Sequence, residues 1–583
     1  MHDLLIRAGT VVDGTGGPAR TADVAVTDGV ITDVGRVDGA ARRTIDADGL
    51  VVTPGFVDIH THFDGQITWD EQLTPTCWHG VTTVVLGNCG VGFAPAAPDR
   101  HGWLVALMEG VEDIPGTALH DGIHWEWETF PQFLDHLGGL RRSMDFATQV
   151  PYAAVRAYVM GDRSIDGHPC DDEVARMAAI VRDGVAAGAL GLSMNRTLAH
   201  RAIDGSIVPG TNAEHEEIIR VASVLGELGR GVLELAPAGV TGDDLDAPER
   251  EVSWMRRVAA GTGRPVTYVL VQHNADPDAW RVMLARATEA RQAGVPLHPQ
   301  VHARSPMVLM GIGAKLNPLL HCPSYASLAS RSPAAQAAAV TADPQLRARL
   351  VAELDSARER WLRPPFHTGN LFPLGVDTPD YEPSEQDSVA STARRTGRLE
   401  GDVVLDVLLS GGGRGLLNIP ILNFSNYTHD PVLEMLEHPT TVLGLGDGGA
   451  HCNAICDAST TTHMLVHWAR DRAGRRLPVE TAVRKMTRDT ARLYGLEDRG
   501  ELAPGLRADI NLIDFEHLAQ RTPEVVHDLP TGAGRFIQRA EGYRATIAGG
   551  QVTYEDGEHT GALPGGLIRG ARRDPRNEEA SRG

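Results

Sequence analysis

Lysine is almost missing from this chain of 583 residues: Lys315 and Lys485 are the only two, and nearly all of its cationic charge is arginine. A modified lysine, one means by which proteins bridge paired metal ions, therefore has only two positions to occupy. Basic charge as a whole is also short, since 54 Lys and Arg stand against 76 Asp and Glu for a formal net charge of -22. A nucleic-acid partner would need a basic stripe to displace counterions from phosphate, so that class is excluded, and the acidic balance reads as ordinary solubility. Six cysteines (77, 89, 170, 322, 452 and 456) are too few and too scattered for a disulfide framework, so they are expected to be reduced thiols, most of them in the core. No apolar run approaches the ~18 residues of a membrane span. Nor does the start resemble a signal peptide: Met1-His2-Asp3 opens with an acid and Leu4-Leu5-Ile6 is too short. A cytoplasmic protein is expected, and a homo-oligomer is compatible with this composition.

What is present is a hydrophobic fraction of 42%, that of a globular protein, arranged in two patterns. Residues 1–54 carry short β segments punctuated by turns, among them Leu4–Arg7, Asp23–Val26 and Val30–Val34, with Asp28-Gly29 as a hairpin signal. A similar pattern returns at Asp509–Asp514, Arg544–Ala548 and Gln551–Tyr554. Sheets at both ends suggest one β module built from the two termini, 1–54 and 496–570. Between them strand-like and helix-like segments alternate, as in βα units around a parallel sheet. Val81–Leu86, Gly231–Leu235, Val266–Val271 and Thr441–Leu445 read as strands and Glu173–Ala187 as a helix. The expected fold is α/β, a (β/α)₈ TIM barrel over 55–495. That span exceeds the ~250 residues usual for the fold, so it needs an insertion, placed at about 305–400. Within it Pro333–Trp361 is helix-rich, and Met307–Met310 and Leu319-Leu320 read as the core of a helical excursion or the lining of an acyl channel. The charged tail, 571–583, is expected to fray.

The chemistry-bearing residues fall at strand ends, where such barrels place their active sites. His60-Thr61-His62 ends the first strand, and side chains at i and i+2 of a strand share a face, so both imidazoles can reach one ion. Cys89 ends the second strand within Gly87-Asn88-Cys89-Gly90, and Asp447 ends a late one within Gly446-Asp447-Gly448-Gly449. Singly each has a plainer reading: loop histidines, a buried thiol used as a small hydrophobe, a turn aspartate. Jointly two imidazoles, a thiolate and a carboxylate are a zinc set, in which the carboxylate can also act as general base.

These segments, together with Thr53–His62, His79–Val84, Gly87–Pro95, Gly188–Ser193, Gly446–His451 and Gly505–Asp509, resemble the N-acyl-D-amino-acid deacylase (D-aminoacylase) branch of the amidohydrolase superfamily. The resemblance spans nearly the whole chain and rests most specifically on Gly87-Asn88-Cys89-Gly90. It implies a metal-bearing (β/α)₈ barrel with one or two Zn²⁺ and a small β-sandwich formed from both termini, His60, His62, Cys89 and Asp447 as metal ligands, and Asp447 as the residue that handles protons. It also implies hydrolysis of a linear amide, an N-acyl-amino acid possibly of the D series, to a carboxylate and an amine. Two departures stand out. Where the family has a histidine after the fourth strand, the sequence reads Leu233-Glu234-Leu235-Ala236; where it has Ser-His-His-Lys after the fifth, it reads Val271-Gln272-His273-Asn274. Glu234 and His273 are the candidate substitutes. His298 and His302, near a sixth strand, are further candidates for the site. His302 and Arg304, or else Arg196, are candidates to bind the substrate, the alternative for each arginine being a solvated surface residue. A cyclic amidase or deaminase on the same scaffold, and a non-catalytic barrel used for binding or assembly, remain the competing readings.

Overall fold

The computed structural model describes residues 1–580. Residues 581–583, the end of the tail expected to fray, lie outside the described residues. Segments from both ends of the chain enter one nine-stranded sheet. Its first part comprises β1 (His2–Val11), β2 (Arg20–Thr27), β3 (Val30–Gly35), β4 (Ala41–Asp46) and β5 (Val51–Pro54). β5 then pairs antiparallel with Ile510–Ile513, which leads to Tyr543–Ala548, Gln551–Glu555 and Glu558–His559. The expected Asp28-Gly29 turn joins β2 to β3, with both residues in the left-handed region (φ 52° and 75°). Part of the tail is pinned back to the body by the bonds from Gly570 N to Gly188 O and from Arg572 N to Gly495 O.

The centre is parallel. β6 (Phe56–Asp58), β7 (Val81–Leu86) and β8 (Asp145–Thr148) form one parallel sheet. β9 (Val150–Pro151), β10 (Gly191–Asn195), β11 (Val232–Ala236), β12 (Val266–Leu270), β13 (Leu297–Val301) and β17 (Val442–Leu443) form another. Only Gln149 separates β8 from β9. Every residue of β7, β8, β10, β11 and β12 is buried, and β7, β11 and β12 accordingly read as largely apolar runs rather than alternating ones. Beyond their ends β6 and β17 meet: Asp447 N donates to His60 O at 3.0 Å and His62 N to Gly448 O at 2.8 Å.

The strand count differs from the sequence expectation by one. Asp145–Pro151 supplies a third strand that the sequence hides, because acidic Asp145, Gln149 and Pro151 interrupt the run. Glu234 therefore lies on the fifth parallel segment, His273 follows the sixth, and His302 follows the seventh.

Residues 302–441 run between the seventh and eighth parallel segments. Met307–Gly311 (β14) is a strand there and not part of a helix, pairing antiparallel with Leu416–Pro420 (β16), which also takes Phe372–Pro373 (β15). Four helices, Pro333–Ala342, Pro344–Ser356, Val389–Thr396 and Glu400–Gly413, pack with them around Leu319, Leu350, Leu354, Leu371 and Leu408. The first two open with proline after Ser332 and Asp343, whose side chains accept from exposed helix N–H groups. Glu382 fastens this excursion to the segment after β17, accepting from Arg472 at 2.8 and 2.9 Å and sitting 3.0 Å from His467 Nε2.

Candidate metal centre

The end of β6 carries His60 and His62. Their loop is fixed by His60 N donating to Asp58 Oδ1 (3.1 Å) and Thr61 Oγ1 donating to Val85 O (2.9 Å). The two rings sit 5.4 Å apart, both on the inner side. Cys89 follows β7 in the left-handed conformation (φ 52°), and Asp447 follows β17 likewise (φ 45°). Non-glycine residues held there cost of order 1–3 kcal/mol, and such strain concentrates at functional sites. Neighbouring glycines make the approach possible: a Cβ on Gly90 would lie 2.6 Å from Met194 Cα, and one on Gly446 would lie 2.1 Å from Asp58 Oδ2.

Four donor atoms converge. His60 Nε2 is 3.4 Å from Cys89 Sγ and 3.6 Å from Asp447 Oδ1, and His62 Nε2 is 3.8 Å from the same Oδ1. Ligand atoms of His60, His62 and Cys89 all lie within 4.8 Å of one another. The far sides of the rings face oxygen: His60 Nδ1 is 3.0 Å from Gln300 Oε1 and 3.6 Å from Glu234 Oε1, and His62 Nδ1 is 3.4 Å from Glu112 Oε1. His60, His62 and Cys89 are buried, whereas the Asp447 side chain keeps 16% of its surface exposed, which makes it the donor of the four most open to an incoming molecule.

The electrostatics fit a cation. Burial pushes Asp447 well above the usual carboxylate range, with the charges of Asp457 and Asp58 adding to it. Burial also raises Glu112 strongly and Glu234 to about 8, with Asp447 adding to both. The Cys89 thiol is likewise pushed far up, first by burial and then by Glu234, Glu112 and Asp447. His60 is held down to about 3 and His62 well below its ordinary value, mainly by burial, so both imidazoles are neutral and carry a lone pair. Asp447 Oδ1 and Glu234 Oε1 are buried without a hydrogen-bond partner. Neutral imidazoles, a thiol and crowded carboxyls form a donor set that a divalent cation would relieve and that suits zinc in particular.

The other sequence candidates fall elsewhere. Glu234 stands behind the donors, accepting from Cys89 N at 3.0 Å. His273 is not brought to the group: its Nδ1 accepts from Asp276 N in the turn after β12. His298 faces Arg291 on the outer side of β13. Arg196 and Arg304 are buried, not surface residues, and Arg304 keeps its Nε and Nη1 without a hydrogen-bond partner. Arg196 pairs with Glu251 at 3.1 Å. Arg304 donates to Asp457 (3.2 Å) and Cys456 O (2.7 Å) and lies 3.8 Å from the Tyr381 ring centroid. His302, its side chain 1% exposed, accepts from Arg304 N and is 3.5 Å from Asp457, with Nε2 making no hydrogen bond. Sequence reasoning did not find Gln300 or Glu112. Gln300 carried a signal, a polar residue two before His302 on a buried strand; Glu112, in a helix between β7 and β8, carried none.

A model of the amidohydrolase family matches residues 43–554. A D-aminoacylase of Alcaligenes xylosoxydans xylosoxydans is 28% identical, over 97% of this chain and 97% of its own. An N-acyl-D-glutamate deacylase of the same organism is 27% identical, over 92% and 91%. A solved D-aminoacylase structure, described as having a binuclear metal centre, superposes with a TM-score of 0.65 at 25% identity over 98% of this chain and 100% of that one.

Proposed function

The chain belongs to the amidohydrolase family, and on that premise we propose that it is a metal-dependent hydrolase of a linear amide, an N-acyl-amino acid, giving a carboxylate and an amine. The relatives' activities support the substrate class, and the convergence of His60, His62, Cys89 and Asp447 carries the mechanism. The reading includes one zinc ion on these four residues, because β11 and β12 bring no histidine to the group. It also includes closure of the parallel strands into an eight-stranded barrel, supported by the bonds between the ends of β6 and β17. The terminal strands would then form its β-sandwich, over 1–54 and 496–570.

A zinc ion held there supplies Lewis acidity, polarising the scissile carbonyl and acidifying a water. The rest falls to the chain. Asp447 Oδ1 faces the two Nε2 atoms, while Oδ2 is turned toward His451 at 3.9 Å. Asp447 takes a proton from the attacking water as the C–O bond forms and gives it to the nitrogen as the C–N bond breaks. Asp447 is placed for both transfers, with Oδ1 beside the His60 and His62 nitrogens and the most exposed side chain of the four. Gln300 keeps His60 oriented, and Arg304 holds the loop through Asp457.

A panel of N-acetyl, N-hexanoyl and N-lauroyl amino acids of both hands, run beside hydantoin and dihydropyrimidine, tests the reading. Release of a free amine from an acyclic substrate is expected. Ring opening with no turnover of any acyclic amide would replace it with a cyclic amidase.

A further inference from the structure

We propose that Glu112 is a positioning residue for the metal centre, the acceptor that sets His62 as an Nε2 ligand; this rests on the metal site proposed above. Glu112 closes the helix His101–Glu112 and is 1% exposed. A carboxyl is costly to bury without a purpose, and this one lacks the arginine that usually repays it. Its Oε1 faces His62 Nδ1 at 3.4 Å, and each of these two buried atoms is without any hydrogen-bond partner, which leaves them to one another. A proton on Nδ1, donated to Glu112, leaves the lone pair on Nε2, the atom that faces Asp447. Gln300 serves His60 in the same way, at 3.0 Å from its Nδ1.

The main chain adds to the case. Glu112 O accepts from His451 N, and the next residue, Asp113, accepts from Asn453 N at 3.0 Å and from Asn453 Nδ2 at 3.1 Å. One helix terminus thus ties His62, through a side chain, to the loop that carries Asp447. Without the Glu112 carboxyl, the buried Nδ1–H of His62 has no acceptor, and the ring loses the contact that fixes its tautomer and its rotation.

The test is zinc affinity, measured by competition with a chromophoric chelator on the full chain, with thermal unfolding of each metal-free form alongside. Glu112→Ala is expected to weaken zinc by about 10- to 100-fold, the effect usual for removing the outer partner of a metal-bound histidine. Glu112→Gln, whose amide oxygen can accept the same bond, is expected to restore affinity to near that of the unsubstituted protein. Asp113→Ala removes the side-chain bonds to Asn453 and the Lys315 pair but leaves the Glu112 carboxyl and its bond from His451 N in place, and is expected to leave affinity unchanged. If the alanine variant does not fold, Glu112→Asp takes its place: the shorter reach should weaken binding while keeping the charge. Unchanged zinc affinity in Glu112→Ala, or in Glu112→Asp where that stands in, would overturn the role of Glu112 while leaving the centre intact. Failure of the unsubstituted protein to bind zinc at all would overturn both.

Discussion

The two ends of the parallel strands both bury acids, and they solve the problem in opposite ways. At the amino ends, Asp145 and Asp509 are met by arginines from the chain: Arg499 lies 2.8 Å from Asp145 and 3.6 Å from Asp509, and Arg507 lies 3.0 and 3.2 Å from the same pair. At the carboxyl ends, Asp447, Glu112 and Glu234 face imidazoles and a thiol, and neither of the chain's two lysines is within reach, since Lys485 bonds Thr441 and Lys315 pairs with Asp113. An acid cluster matched by guanidinium is a fastening between sheet and core. An acid cluster matched by neutral nitrogen and sulfur is built to take its positive charge from outside.

The comparison is broken most sharply at Asp447. Asp447→Asn keeps the shape and removes the proton acceptor, so turnover should fall by about 10² to 10⁴ with the unfolding temperature little changed. A loss below about tenfold would make Asp447 a structural residue. Arg499→Leu attacks the other end. Leaving Asp145 and Asp509 short of their buried partner should cost about 3–5 kcal/mol in denaturant unfolding, with metal content unaffected. If metal content falls instead, the two ends are not independent.

Cysteine substitutions sharpen the contrast without touching a charge pair. Cys89→Ala should lose metal, whereas Cys77→Ala, which removes a buried thiol that accepts from Tyr554, should show only a modest packing cost and full metal content. Equal metal content in both would reduce Cys89 to a core thiol. The smallest expected effect is one of pH. Burial raises Asp58 and Asp64 to about 7 and Glu234 to about 8, against about 4 in an unfolded chain. Between these values the folded, metal-free protein binds more protons than the unfolded chain, so its stability falls as pH rises from about 5 to about 8. The gap in unfolding temperature between metal-loaded and chelator-treated protein should therefore widen over that range; parallel profiles would argue against the crowded-acid picture.

Much of this was legible in the sequence because it is local. His60-Thr61-His62, Gly87–Gly90 and Gly446–Gly449 are short segments whose geometry follows from strand alternation and glycine, and Val81–Leu86 announces its burial by being apolar throughout. What was not legible depends on distant partners. Asp145–Pro151 looks like a loop until Arg499 and Arg507 neutralise its first residue, and missing it displaced the numbering of later strands. Arg304 looks like a free cation until Asp457 and Tyr381 enclose it. Glu112 looks like an ordinary helix acid until the loop after β17 brings His451 and Asn453 over it.

The central claim is that the carboxyl-end cluster takes its cation from outside, and metal content tests it most directly. Elemental analysis of protein purified without added metal should show about one transition metal ion per chain, zinc being the fit for two imidazoles, a thiolate and a carboxylate. That ion should be lost from Cys89→Ala and retained in Arg499→Leu. Full turnover from protein with metal content near zero would contradict the account.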